Sequence, residues 1–296
     1  METVPAKHLL HRSRSTEWFG TDHTMNLYRG CCHGCLYCDS RSDCYRIEEF
    51  DTVRAKEDAL RILRDDLARK VRPAFICTGS MSDPYNPFER ELELTRHALE
   101  LIDAYGCGTA IATKSDLIAR DIDILTSIQA HSPVICKLTV TTADDALAAK
   151  IEPNAPSSSR RLAALKELSG AGLFAGVLLM PVLPFLEDSD EGVLAVVEGA
   201  AKAGARFIYP ALGLTMRQGQ REYFLDGLER AFPGQGLKER YLRQYGDRYQ
   251  CASPRARALW KVFTEACRER GILYDMKAII RAATLGYGDR QLTFFD

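Results

Sequence analysis

Cys31, Cys35 and Cys38 fall within the stretch Tyr28-Arg-Gly-Cys31-Cys-His-Gly-Cys35-Leu-Tyr-Cys38-Asp-Ser, at the spacing Cys-x3-Cys-x2-Cys. Thiolates so close in the chain can converge on one inorganic centre. The near-equal spacing lets a short loop wrap three corners of a cubane four-iron four-sulfur cluster. One iron is then left without a protein ligand, and an open coordination site marks a reactive centre, by the logic that separates catalytic from structural zinc. The competing chemistry is zinc itself. Cys32, His33 and the more distant Cys44 are further donors, but a structural zinc normally takes a second ligand pair well downstream. Cysteines also serve as buried apolar residues, and Cys32 and His33, outside the triplet, read most simply as loop packing.

Such a loop needs a rigid carrier. Residues 25–28 alternate apolar and polar and predict a short strand leading into it. Downstream, a helix over 53–71 capped by Asp51 is followed by strand 73–78, helix 87–105, strand 107–113, helix 117–129 and strand 134–142. Helix 157–170, stopped by glycine, strand 174–181, helix 191–204 and strand 206–214 complete the alternation. Six strands apolar on both faces predict a parallel sheet buried on both sides, an α/β fold in the form of a partial (β/α)6 barrel.

Chemistry in such barrels sits at the C-terminal ends of the strands. The residues delivered there are the cysteine loop, then Gly79, Ser80, Ser82 and Asp83, then Thr113, Lys114 and Ser115, then Thr139, Thr141 and, past a loop, Glu152. A charge at a barrel mouth needs a partner, and Arg161 offers Glu152 a structural ion pair as the plain alternative to a binding role. Beyond Leu214 the pattern turns to helices bearing Arg and Tyr. Ser253-Pro254 predicts a helix start, with Leu259, Trp260, Phe263 and Cys267 inward, and a helical C-terminal cap is expected to close the barrel against solvent. The expected division is a leader over 1–20, the barrel over 21–215 and the helical extension over 216–296.

With 296 residues, 46% of them hydrophobic, the chain can bury a sizeable core. Ten cysteines and a basic N-terminal segment without a long apolar run predict a reducing, cytoplasmic setting, and no stretch approaches the length of a membrane span. Net charge is −1, yet 217–296 carries 15 Lys+Arg against 10 Asp+Glu, a weak pointer to a polyanionic partner such as nucleic acid.

The cysteine spacing resembles the signature of the radical S-adenosylmethionine (SAM) superfamily. The strings Met25-Asn-Leu-Tyr-Arg-Gly-Cys31, Tyr37-Cys-Asp-Ser-Arg41, Thr78-Gly-Ser-Met-Ser-Asp-Pro-Tyr85, Thr113-Lys-Ser115, Glu152-Pro153 and Arg217/Arg221-Glu-Tyr223 resemble its spore photoproduct lyase-like family over 18–223. The resemblance implies a radical SAM barrel with two cofactors, a 4Fe-4S cluster at Cys31, Cys35 and Cys38 and SAM chelated by the open iron. It implies reductive cleavage of SAM to a 5′-deoxyadenosyl radical that takes hydrogen from a substrate. A low-potential electron donor of flavodoxin or ferredoxin type would be the partner. By the same resemblance Gly79 and Ser80 would face SAM's amino end, Lys114 its carboxylate, Thr139, Thr141 and Glu152 the ribose, and Tyr37 the adenine or the cluster.

The family's namesake repairs a thymine dimer in DNA and has a cysteine hydrogen donor just before Thr-Ser-Asp. Here Ser80 precedes Met81-Ser82-Asp83, and a serine O–H is too strong a bond to give hydrogen to a carbon radical. Cys77, Tyr85 and Tyr223 are the remaining candidates to relay hydrogen. The functions in play are thus a radical SAM enzyme of open substrate, a DNA photolesion lyase, and a zinc-bound, non-catalytic nucleic-acid-binding module.

Overall fold

The computed structural model describes residues 2–70 and 72–287. Seven strands, β1 (Leu10–Arg12), β2 (His23–Met25), β3 (Phe75–Thr78), β4 (Gly108–Thr113), β5 (Val134–Thr139), β6 (Ala175–Leu179) and β7 (Phe207–Pro210), lie side by side in chain order. β2 to β7 are parallel, and β1 joins β2 antiparallel. Consecutive order is what repeated right-handed crossovers produce. The sheet ends at β1 and β7, so among the described residues the barrel is partial. β1 comes from the segment expected to be a leader.

Side chains alternate across each strand, which sorts the core into two layers. Ile76, Ile111, Cys136, Leu138, Val177 and Ile208 meet the helices through Leu63, Leu99, Leu125, Leu165 and Val196. Phe75, Ala110, Ile135, Leu178 and Phe207 form the inner face, covered by Phe19 and by Ile279 and Ala283 of helix Met276–Thr284. Phe75 and Phe207 open their strands, so this plug fills the end opposite the site. Among the described residues no helix is long and apolar enough to cross a membrane.

Several segments depart from expectation. The helix placed at 53–71 spans only Ala59–Ala68, because Arg54–Lys56 is a strand held between Tyr28–Arg29 and Thr3–Val4. The helix at 87–105 breaks at Glu93, whose φ is 48°. Segment 206–214 divides into β7 and Gly213–Thr215, the latter paired antiparallel with Gln250–Ala252. Helix Ala256–Glu269 starts later than Ser253, whose Oγ donates to Asp188 (2.5 Å) and accepts from the Arg255 amide (3.0 Å) in the turn before it. That helix packs in the outer layer beside Asp190–Lys202 and closes nothing. The cap over the cysteine loop is made by Gln220–Ala231 and Leu237–Tyr245, where Phe224, Leu228 and Tyr241 cluster with Leu36, Tyr37 and Ile151.

Candidate active site

The cysteine loop leaves the sheet after β2 and is tied down on every side. Tyr28–Arg29 before it pairs with Arg54–Lys56 after it, closing 31–53 into an excursion. Gly30 takes a φ of +81°, where a Cβ would run into the Phe50 and Thr52 carbonyls, and the Cys31 amide then donates to Phe50 O (2.8 Å). The Leu36 amide donates to Ile151 O (2.9 Å), and Asn154 reaches His33 O with its amide (3.1 Å) and Cys32 O with Nδ2 (3.0 Å). Arg41 lies between the rings of Phe50 and Tyr223 while pairing with Asp51.

Cys31, Cys35 and Cys38 stand near enough to disfavour one another's ionisation. Burial pushes the Cys31 thiol up to about 12, Asp83 and Cys38 reinforcing it while the amides of His33 and Asp83 donate against it. Burial also holds Cys35 well above its ordinary value; Lys114 opposes, and Glu152, Cys38 and Cys31 add to it. Clustered thiols in a dry loop ionise when a cation replaces their protons, and iron is such a cation. The zinc reading needs donors gathered at bonds of about 2.3 Å round one ion. A cluster binds each sulfur through a different iron and so spreads them.

Opposite the loop, Lys114 ends β4 with Nζ 5.4 Å from the centroid of the Tyr37 ring. Burial works against its ammonium, but the Cys35 sulfur and Glu152 outweigh burial and hold it above its ordinary value. Glu152, 1% exposed, meets Arg161 Nη2 at 2.6 Å and accepts from the Tyr37 hydroxyl. Burial would raise its carboxyl, yet Arg161 and Lys114 keep it below the usual range. Arg161 also donates to Thr139 O (3.0 Å) and Pro156 O (2.7 Å). Tyr37, Lys114, Thr139 and Glu152 are therefore brought together, with Glu152 engaged in the ion pair that was its plain alternative. Gly79, at a φ of +91°, turns the chain after β3 where any Cβ would overlap the Ala112 carbonyl, and leaves Ser80 exposed at the mouth.

The candidate hydrogen relays are scattered. Cys77 is buried on the inner face of β3, its Sγ 3.5 Å from the Nζ of Lys137, itself fully buried. Tyr85 belongs to the outer core beneath the helices, where burial and Asp121 push its hydroxyl well above the ordinary value. Tyr223 stacks on Arg41 and braces the loop from the cap. Part of the basic surplus of the C-terminal part is spent on acids of the barrel: Arg217 pairs with Asp39, Arg255 with Asp190 and Arg270 with Glu198.

Glu187 escaped the sequence reading, and His33 entered it only as a spare donor or as loop packing. At the ends of β5 and β6, Thr141 Oγ1 and Glu187 Oε1 are buried without hydrogen-bond partners, while Glu187 Oε2 accepts from the Leu183 amide (2.9 Å). Burial pushes the Glu187 carboxyl up to about 8, against a side-chain contact from Thr141. Its only signal in the sequence was an acid shortly after an apolar strand. The other group is His33, between the first two cysteines, which is 3% exposed with Nε2 3.1 Å from Asp83 Oδ2. A crevice of about 260 Å³ opens beside it, lined also by Tyr85, Arg90, Ser115 and Asp116.

The arrangement suits the two cofactors: thiols for iron, a fixed ammonium beside them, and unpartnered buried oxygens at the strand ends for a hydroxyl-bearing ligand. Comparison with known proteins points the same way. An uncharacterized protein of Mycobacterium tuberculosis is 32% identical over 230 residues, spanning 75% of this chain and 67% of its own length. One of Methanocaldococcus jannaschii is 32% identical over 193 residues, 64% of this chain and 70% of the relative. Among solved structures, spore photoproduct lyase complexed with dinucleoside spore photoproduct superposes with a TM-score of 0.64 at 16% identity, covering 89% of this chain and 77% of that one. The radical S-adenosylmethionine methyltransferase TsrM from Kitasatospora setae gives 0.56 at 11% identity, covering 89% and 58%. Both are likenesses of fold. The family model of the Radical SAM superfamily matches residues 25–197, the cysteine loop through β6 and its following helix, and the chain belongs to that superfamily.

Proposed function

We propose that Cys31, Cys35 and Cys38 hold a four-iron four-sulfur cluster, that its open iron takes SAM, and that the protein abstracts hydrogen from a substrate admitted beneath the cap helices. The observation that carries this is convergence: the cysteine loop, the turn after β3 and the end of β4 meet at one mouth of the sheet, where Asp83 accepts from the Lys114 amide beside His33 and the Lys114 Nζ faces the Tyr37 ring. With the cluster held by Cys31, Cys35 and Cys38 and reduced, the chemistry it would supply is one electron to the sulfonium of SAM, which would part into methionine and a 5′-deoxyadenosyl radical.

The chain's own residues do the rest. Gly79 and Ser80 present backbone to the amino end of SAM, and the Lys114 ammonium faces its carboxylate. Tyr37, its hydroxyl fixed on Glu152, offers a ring of set orientation to the adenine. Thr139 and Thr141 serve the ribose, with Glu187 beside Thr141 as a further partner. Glu152 acts chiefly through Tyr37 and Lys114. The cap, packing Phe224 and Tyr241 over Leu36 and Tyr37, keeps water from the radical. The electron comes from an external low-potential donor of flavodoxin or ferredoxin type.

The test is SAM cleavage by protein purified and reconstituted without oxygen. Wild type is expected to yield dithionite-dependent 5′-deoxyadenosine and Cys35→Ala none. A wild-type protein that holds the cluster, binds SAM and still releases no 5′-deoxyadenosine would sink the proposal.

A further inference from the structure

One buried carboxylate touches the three segments whose convergence carries the proposed function: the cysteine loop, the turn after β3 and the end of β4. Asp83 lies in the turn after β3 and is 8% exposed. Its Oδ1 accepts from the Tyr85 amide (2.9 Å) and Thr113 Oγ1 (2.6 Å), and its Oδ2 from the Lys114 amide (2.8 Å). The same Oδ2 stands 3.1 Å from His33 Nε2, close but oblique, and neither ring nitrogen of His33 has a better-aligned partner. Through His33, two residues past Cys31, the same carboxylate reaches the cysteine loop. Asp83 therefore accepts from the Lys114 amide and from its own turn at Tyr85, and its carboxylate stands against the cysteine loop at His33, between two of the ligands.

We propose that Asp83 is a positioning residue that couples the cluster loop to the SAM-binding loops, so that one side chain sets both the environment of the Cys31 sulfur and the placing of Lys114. This rests on the cluster and SAM reading above. Groups behind metal ligands tune a site by orienting its ligands and by hydrogen bonds to sulfur, and their loss typically costs about 10–100-fold in affinity. Coupling of this kind is reciprocal: if SAM binding moves the loops through Asp83, it also moves the cluster's reduction potential.

The experiment compares wild type with Asp83→Asn, which keeps the volume and one acceptor oxygen but loses the charge and the second oxygen. His33→Gln and the double variant accompany it. For each, cluster content, the midpoint potential with and without SAM, and the SAM dissociation constant are measured. The expected result is near-normal cluster content in Asp83→Asn, SAM binding weakened about tenfold or more, and a potential shifted from wild type with a smaller response to SAM. His33→Gln should shift the potential, and the double variant should change it by less than the sum of the singles. Asp83→Asn with wild-type affinity and potential would overturn the inference while leaving the cluster reading intact. A fall in cluster content alone, with both properties unchanged in the loaded fraction, would reduce Asp83 to a structural role and overturn it equally. Wild type that assembles no cluster would overturn both.

Discussion

Glu187 makes the stability of the protein depend on pH in a way that can be worked out beforehand. Its carboxyl is raised from 4.5 to about 8 because burial strips water from it, and the Leu183 amide and Thr141 do not make up the loss. The folded protein then keeps this proton until about pH 8, whereas the unfolded chain gives it up near 4.5. Between those values the unfolded state binds fewer protons, so stability falls as pH rises and levels off above the folded value. One pH unit is worth about 1.4 kcal/mol at full effect. Over the window the loss sums to at most about 4–5 kcal/mol. Glu187→Gln retains the acceptor for the Leu183 amide and removes the titration. Urea unfolding of SAM-free protein at several pH values from 5 to 8.5 checks this: the variant should match wild type near pH 5 and gain steadily by pH 8. Parallel profiles for the two proteins would refute the reasoning, since a buried carboxyl that titrates normally gives the variant no growing advantage.

Arg161→Met would leave Glu152 buried beside only Lys114 and the Tyr37 hydroxyl, and removing one partner of a buried pair typically costs about 3–5 kcal/mol; the same unfolding measurement should show a loss of that order. Gly79→Ala forces a Cβ into the Ala112 carbonyl at a φ of +91°. Backbone strain there costs about 1–3 kcal/mol, and the displaced turn should weaken SAM binding at least tenfold in equilibrium dialysis, while Gly172→Ala, equally left-handed at φ +81° but meeting nothing within 4 Å, should leave SAM binding unchanged.

The parallel strands were legible because each is a short apolar run bounded by turn residues, a local property. Segment 53–71 was misread because Arg54–Lys56 owes its strand conformation to Thr3–Val4 and Tyr28–Arg29, partners distant in the chain that leave no local trace. Helix Ala256–Glu269 was legible as amphipathic, but an apolar face does not name what covers it, and it joined the outer layer instead of the cap. The cysteine triplet stood out in the sequence by residue type and spacing alone, and membership of the superfamily could be read from it. Glu187 and His33 could not: what distinguishes them is burial among residues from other strands, which only the folded chain brings together.

The plug of Phe19, Ile279 and Ala283 also has a bearing on biosynthesis. Its two halves stand near opposite ends of the chain, and Phe75, Ile135 and Phe207 stay wet on the inner face until the second half arrives. Translation reaches β7 some seventy residues before it completes Met276–Thr284. During that interval the sheet can form its outer layer on the ribosome but not its inner one. Apolar inner surface left waiting is where self-association begins, so the growing chain depends on helix Met276–Thr284 to end a vulnerable intermediate.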